Sequence, residues 1–234
     1  MTALLLSAGL GTRLLPVTNH IPKCLVPING KPLLEYWLEN LSIAGIKDFI
    51  INTHYFKEQV EEYVDKSAFK KNITLVHEEE LLLTAGTILK CKEYLQKESF
   101  MVVHADNLSF CNFKDFIKAH KNRPKRCEIT MMTFSCENPH QCGVLSLNND
   151  NVVQEFFEKV QHPPTNLANA AVYIMEPIVI NYLESLGKGE IDLSTEVIPH
   201  FLDKIYTFHN NVYHRDIGTI ESYALAQIEI LKYV

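Results

Sequence analysis

Apolar and polar positions along this chain alternate between two periods. Ala3 to Ser7 is a short apolar run that reads as a buried strand, running out into a glycine-rich stretch. Leu34, Trp37, Leu38 and Leu41 recur at helical spacing, and Gly45 can end that helix. The same reading gives a strand at Phe49–Asn52, a helix at Lys57–Val64 and a strand at Ile73–His77. A helix at Ala85–Leu95, a fully apolar strand at Phe100–His104 and a helix at Phe113–His120 follow. Strands separated by helices of about ten residues predict parallel βαβ units in a sheet covered on both faces.

The texture changes near residue 125. Glu128–Phe134, Gly143–Leu147, Val152–Phe157 and Ala170–Met175 read as strands, with turns such as Asn148-Asn149-Asp150-Asn151 between them. Helices return at about Ser194–Leu202 and Thr219–Tyr233. The expected architecture is α/β: a Rossmann-like three-layer sandwich with a mixed, mainly parallel central sheet and a β-rich second half. One domain is expected over residues 1–234, with a change of role near residue 125.

Composition narrows the function. Of 234 residues 47% are hydrophobic and 21% charged, which excludes disorder, collagen and coiled coil as whole-chain descriptions. No apolar run reaches the ~18 residues of a membrane span, and the apolar start lacks the basic leader of a signal peptide. The net charge is −6 and there are only four arginines, Arg13, Arg123, Arg126 and Arg215. A nucleic-acid surface needs a basic patch, so neither nucleic acid nor membrane is expected as a partner. An anionic ligand would have to be held by a few local cations, backbone amides or a metal. The six cysteines form no CxxC pair and read as reduced thiols of a cytoplasmic protein.

The candidate chemistry begins at Ala8-Gly9-Leu10-Gly11-Thr12-Arg13-Leu14-Leu15-Pro16, directly after the first strand. Two glycines allow a tight turn and a close approach, and successive amides can face a phosphate. A purely structural strand-to-helix turn fits two glycines equally well. Leu14 stands where the dinucleotide fingerprint needs its third glycine, and no Gly-Lys-Ser/Thr follows as in a P-loop. The prolines that follow hold an extended path while Arg13 and Lys23 are presented near the glycine amides.

The wider run Gly9-Leu10-Gly11-Thr12-Arg13-Leu14-Leu15-Pro16-Val17-Thr18…Pro22-Lys23…Pro27…Lys31-Pro32 resembles the N-terminal motif of the sugar-1-phosphate nucleotidyltransferases. The resemblance continues along the chain. His104-Ala105-Asp106 lies where that family carries its first magnesium-binding aspartate. Gly143-Val144 and Glu158-Lys159 resemble its sugar-contacting pairs, and Asn169-Ala170-Ala171-Val172-Tyr173 its Asn-Ala-Gly-x-Tyr strand. Arg215-Asp216-Ile217-Gly218-Thr219 resembles the segment that supplies its second metal ligand. Ala171 in place of glycine, and His104-Ala105 in place of small residues, depart from the pattern. Thr84-Ala85-Gly86 looks most like the Gly-Thr-Ala-Gly of mannose-1-phosphate guanylyltransferases. The length resembles a short form of the family, without a C-terminal β-helix.

The resemblance implies the reaction of an NTP with a sugar-1-phosphate to give an NDP-sugar and pyrophosphate. GTP with mannose-1-phosphate, or a related hexose or heptose phosphate, is the pairing it favours. A UTP- or CTP-dependent member, or a non-catalytic sugar-nucleotide-binding subunit, are the alternatives. Mg2+ is the implied cofactor, bound by Asp106 and Asp216; a zinc site that adds His104 and His214 is the alternative for these residues. Arg13, Lys23 and Asp106 are the implied catalytic residues. Nucleotide binding falls to Ala8, Gly9, Leu10, Gly11, Thr12, Arg13, Lys23, Thr84, Gly86 and Thr87. Sugar-phosphate binding falls to Gly143, Glu158, Lys159 and Asn169. The nucleotide part is then about 1–125 and the sugar-phosphate part about 126–234, in a chain whose partners are its two small-molecule substrates. The oligomeric state stays open, a homo-oligomer included.

Overall fold

The structure is a computed structural model and describes residues 1–233. In chain order, β1 (Thr2–Leu6) is followed by short 3-10 turns and the small ribbon β2 (Pro27–Ile28) and β3 (Lys31–Pro32). Then come α1 (Leu33–Ile43), β4 (Asp48–Thr53), α2 (Lys57–Lys66) and β5 (Ile73–His77). Helices α3 (Leu83–Lys90) and α4 (Lys92–Leu95) precede β6 (Phe100–His104), β7 (Asn107–Phe110) and α5 (Phe113–Lys121). The β-rich stretch holds β8 (Ile129–Ser135), β9 (Gly143–Leu147), β10 (Val153–Glu158) and β11 (Leu167–Met175). Helix α6 (Ile178–Ser185), β12 (Ile205–His209), β13 (Tyr213–Asp216) and α7 (Ile220–Glu229) complete the chain.

The elements sort into two compact units, each built from separate stretches. The first comprises Thr2–Leu81, Val103–Cys111 and the chain from Val212 onward; the second comprises Met1, Leu82–Val102 and Asn112–Asn211. The chain passes from one to the other within β6. The division of roles near residue 125 is a different partition from these units.

In the first unit β1 pairs with β4 and β4 with β5, all parallel. Ala3, Leu4 and Leu5 are fully buried, as are Phe49, Ile50 and Ile51 to within a few per cent. Continuous apolar runs of this kind belong to strands covered on both faces. Helix α1 buries Leu33, Leu34, Tyr36, Trp37, Leu38 and Leu41. Its Trp37 Nε1 donates to the Asn107 carbonyl at 2.9 Å, which anchors the start of β7. β7 pairs with β13 in an antiparallel ribbon that sets Asp216 opposite Asn107. Leu108 of that ribbon and the following Ile217 share one core with Leu14, Val26, Ile28, Leu33 and Tyr36.

In the second unit β10, β9, β11 and β8 are antiparallel neighbours, and β12 adds parallel to β8. Helix α5 packs on β8 and β12, and α3 packs on α6. The β11–β8 register shifts between Asn169 and Tyr173.

The chain is thus α/β, with β1, β4 and β5 parallel beside two antiparallel ribbons in the first unit and mixed pairing in the second. Two predicted helices are interrupted. The Ala85–Leu95 helix breaks at Cys91, whose ψ of 10 takes it off the helical path. The Ser194–Leu202 helix is one π turn (Leu193–Val197) and a 3-10 turn (Ile198–Phe201). Pro199 there has no N–H to continue an α-helical ladder.

Candidate functional site

The first group of site residues is built where strands of the first unit end. The Ser7 N–H donates to Asn52 Oδ1 at 2.6 Å, and the Ser7 hydroxyl donates to the Asn52 carbonyl. Asn52 Nδ2 in turn donates to Glu78 Oε1 at 2.9 Å. All three residues are buried, so the loop leaves β1 from a point fixed to the ends of β4 and β5. Ala8 is buried, whereas Gly9, Leu10, Thr12 and Arg13 are exposed. Gly11 has φ 64, and its carbonyl accepts from Leu14 N at 2.9 Å and from the Thr18 hydroxyl at 2.8 Å. A Cβ on Gly11 would lie 3.0 Å from Thr18 Cγ2 and 3.3 Å from Lys23 Cβ. Glycine meets both that dihedral and that spacing without strain.

Pro22, with ψ 143, delivers the chain into the turn Lys23–Leu25. Lys23 is only 5% exposed, and a buried ammonium needs anionic partners. It has two: Nζ donates to Asp106 Oδ2 at 2.6 Å and lies 3.4 Å from Asp216 Oδ1. Arg13 Nη2 approaches the other Asp216 oxygen at 3.8 Å. Asp106 sits in the turn between β6 and β7, and Asp216 ends β13, so the β7–β13 ribbon presents both carboxylates at one point. A Cβ on Gly218 would fall 2.7 Å from Asp216 Oδ2 and 3.2 Å from Arg13 Nη2. Glycine there lets the carboxylate and the guanidinium approach each other.

Two cations and two anions therefore balance at this point. Burial alone would raise the Asp106 carboxyl, but the adjacent Lys23 ammonium outweighs it and holds the group below the ordinary carboxylate range. Burial, helped by the charges of His104 and Arg215, pushes His214 down to about 3, so it is neutral. Arg215 is engaged elsewhere, donating to both Glu229 oxygens at 2.7 and 2.6 Å.

The donor set bears on a metal. Among the described residues no cluster of three or more His, Cys, Asp or Glu is arranged to hold one. A zinc site, which takes three or four protein ligands, does not match. Asp106 and Asp216 offer hard oxygens converging on one cation. That suits an ion which takes one or two carboxylates and fills its shell with phosphate oxygens and water.

The second group lies in the second unit. The strand register sets Glu158 opposite Gly143 and Ala168 opposite Val144, so Gly143, Glu158 and Asn169 meet at one end of three neighbouring strands. A Cβ on Gly143 would stand 2.6 Å from Glu158 Oε2, so the glycine leaves the carboxylate its place. Lys159 has φ 51, and its Nζ is 3.1 Å from Glu158 Oε1. Asn169 Nδ2 donates to the Tyr173 hydroxyl at 2.6 Å, and Asn169 Oδ1 accepts from Ala171 N at 2.9 Å.

Thr84, Gly86 and Thr87 are placed by contacts of their own. The Thr84 hydroxyl donates to Asp192 Oδ2 at 3.3 Å and accepts from Leu193 N at 2.8 Å. Ala85 N and Gly86 N both donate to the Ile191 carbonyl. Thr87 is buried and its hydroxyl donates to the Leu83 carbonyl at 3.0 Å. Tyr173 links the two sets. Burial raises its phenol, the Asn169 hydrogen bond opposes this, and the charges of Glu158 and Asp192 raise it further. Tyr173 closes the Asn-Ala-Gly-x-Tyr pattern of the sequence, which gives it no role of its own, whereas nothing in the spacing marks Asp192; its place follows from which segments become neighbours.

The family model described as Nucleotidyl transferase matches residues 2–232. A mannose-1-phosphate guanylyltransferase of Mycobacterium tuberculosis is 32% identical over 98% of this chain and 64% of its own length. The catalytic subunit beta of mannose-1-phosphate guanylyltransferase from Drosophila pseudoobscura is 34% identical over 92% of this chain and 58% of its own. The chain thus spans about three-fifths of the length of these curated relatives. The crystal structure of HddC from Yersinia pseudotuberculosis complexed with GMP-PN superposes with a TM-score of 0.82 at 26% identity, covering 98% of this chain and 99% of that one. No helix among the described residues is long and apolar enough to cross a membrane.

Proposed function

We propose, for a chain that belongs to the nucleotidyl transferase family, the reaction NTP + sugar-1-phosphate → NDP-sugar + pyrophosphate. Substrates in this family are a nucleoside triphosphate and a sugar phosphate, and its members generally use a divalent metal. GTP and mannose-1-phosphate are our choice of pair, supported by the names of the relatives and by the GMP-PN bound to HddC. The six cysteines, none of them bridged, suit a reducing, cytoplasmic setting.

The observation that carries this reading is the convergence of Asp106 and Asp216 on buried Lys23, beside Gly11 and Arg13. A phosphate oxygen of the sugar-1-phosphate attacks the α-phosphorus, a new P–O bond forms, and the α–β bond breaks to release pyrophosphate. The nucleophile is already an anion, so no protein base is required, and catalysis is positioning plus charge neutralisation. The loop amides of Ala8–Thr12 and the cations Arg13 and Lys23 receive the triphosphate and stabilise the leaving pyrophosphate. Glu158 accepts from a sugar hydroxyl, Lys159 neutralises the sugar phosphate, and Gly143 and Asn169 shape that pocket. Thr84, Gly86 and Thr87 position the wall for the base. Mg2+, held by Asp106 and Asp216, would supply further neutralisation of phosphate oxygens when bound.

Pyrophosphate release across four NTPs and a set of sugar-1-phosphates tests the assignment. GTP with mannose-1-phosphate is expected to be fastest; no release from any pair overturns it. Charge grows on pyrophosphate only as the α–β bond breaks, so Lys23 acts more on the transition state than on binding. Lys23→Ala is expected to lower kcat by ~10²–10³ while NTP affinity changes less. A raised KM at unchanged kcat would assign Lys23 to uniform binding instead.

A further inference from the structure

Cys136 and Cys142 bracket the loop between β8 and β9, and their Sγ atoms lie 2.8 Å apart. The backbone holds both ends of the loop. Cys136 N donates to the Asn166 carbonyl at 2.9 Å, and the Cys142 carbonyl accepts from Lys159 N at 3.2 Å. The intervening turn Pro139–Gln141 brings the two thiols together although five residues separate them in sequence. Both are partly exposed, whereas Cys24, Cys91 and Cys127 are fully buried. We propose that Cys136 and Cys142 are an oxidisable dithiol that a hydroperoxide converts to an intrachain disulfide, fastening the loop that leads into Gly143.

Cys136 is the attacking group. The hydrogen bond with Cys142 lowers its thiol to about 7, against the opposing effect of burial, so much of it is thiolate at neutral pH. Burial pushes Cys24 up to about 12 and raises Cys127, which leaves them inert. The Cys136 thiolate attacks the outer peroxide oxygen: an S–O bond forms, the O–O bond breaks, and the leaving alkoxide takes up a proton. Cys136 is then a sulfenic acid. The Cys142 sulfur attacks it, an S–S bond forms, and the S–O bond breaks to release water with the Cys142 proton. Two electrons have passed from the two sulfurs to the peroxide, and a thiol reductant restores both thiols by exchange.

The loop is continuous with residues that matter for the site. Cys142 precedes Gly143, where a Cβ would stand 2.6 Å from Glu158 Oε2, and its carbonyl holds the Lys159 backbone. Resting on the function proposed above, the clamp changes the use of the sugar phosphate.

The test treats the whole chain with limiting tert-butyl hydroperoxide and maps its peptides without reduction. The linked Cys136–Cys142 peptide is expected first, titratable thiols in denaturant fall from six to four, and dithiothreitol reverses both. Cys142→Ser is expected to stop at a sulfenic acid on Cys136, trapped by dimedone, and Cys136→Ser to resist the same dose. Oxidation spread evenly over all cysteines, or a link through Cys111, overturns the proposal. These readouts need no turnover, so they stand apart from the assigned reaction. In the activity assay the oxidised chain is expected to change KM for the sugar-1-phosphate by about threefold or more at unchanged NTP affinity. An unchanged KM with the disulfide formed overturns the coupling to the site.

Discussion

Ala171 occupies the left-handed region, with φ 53, where the pairing of β11 with β8 shifts register. A Cβ in that conformation costs roughly 1–2 kcal/mol. Glycine removes the cost but loosens the unfolded chain by up to about 1 kcal/mol. Ala171→Gly is therefore expected to stabilise the protein by about 0.5–1 kcal/mol, read as a higher urea midpoint at constant slope. A lower midpoint would mean that the methyl packs well enough to outweigh the strain. The glycine of the Asn-Ala-Gly-x-Tyr pattern thus has a backbone reason, and Ala171 departs from it at a cost in strain. Arg13 and Lys23 stand out in a proline- and glycine-punctuated run, whereas Asp106 and Asp216 are marked in the sequence by the resemblance to the nucleotidyltransferase motifs. Ser7, Asn52 and Asp192 could not be picked from the sequence, since each acts through a partner brought near only by the fold: Ser7 through Asn52, Asp192 through Thr84.

Elements were legible in proportion to how continuously they bury. β1, β4 and β6 are apolar runs with both faces covered, and α1 carries its buried positions at helical spacing, so periodicity finds them. The ribbon β7–β13 escapes, being two four-residue strands that carry Asn107, Ser109, His214 and Arg215. Helix α3 shows the converse, a motif whose residues serve packing. Gly86 lies under the 189–193 segment, and a Cβ on it would stand 2.2 Å from the Gly189 carbonyl oxygen. Backbone cannot swing aside as a side-chain tip does, so Gly86→Ala is expected to destabilise by about 1–3 kcal/mol, the range for overpacking. Thermal unfolding checks it, with Gly189→Ala as the control. A Cβ on Gly189 meets nothing within 4 Å and should move the midpoint little. Equal effects of the two substitutions would show that the 189–193 segment yields, and that Gly86 is not required for its packing.

Acid stability is a property of the whole chain that two buried histidines set, one in each unit. With a net charge of −6, mild acidification first relieves self-repulsion. A loss of stability between pH 7 and 5 must then come from specific groups. His120 is buried, with Nδ1 2.8 Å from Thr130 Oγ1 and Nε2 3.1 Å from Glu176 Oε1. Burial and the Arg123 charge lower it to about 4, against the pull of Glu176. His214 is lowered to about 3. In both cases the unfolded chain binds a proton near the ordinary value of about 6.5 while the folded chain does not. Proton uptake therefore favours unfolding, and stability present above pH 6.5 is lost progressively as pH falls toward 4. At pH 5 the two groups together should have removed up to roughly 4 kcal/mol. The lowered carboxyls of Asp106 and Glu176 act in a separate window, since their contribution is lost only as pH falls below about 4. The expected result is a urea midpoint that falls steadily from pH 7 to pH 5. His120→Asn should lower the midpoint at pH 7 by disturbing the Thr130 and Glu176 contacts, yet flatten its dependence on pH by about half. A slope unchanged by His120→Asn would mean that His120 takes up its proton in the folded state, and that acid sensitivity lies with other groups.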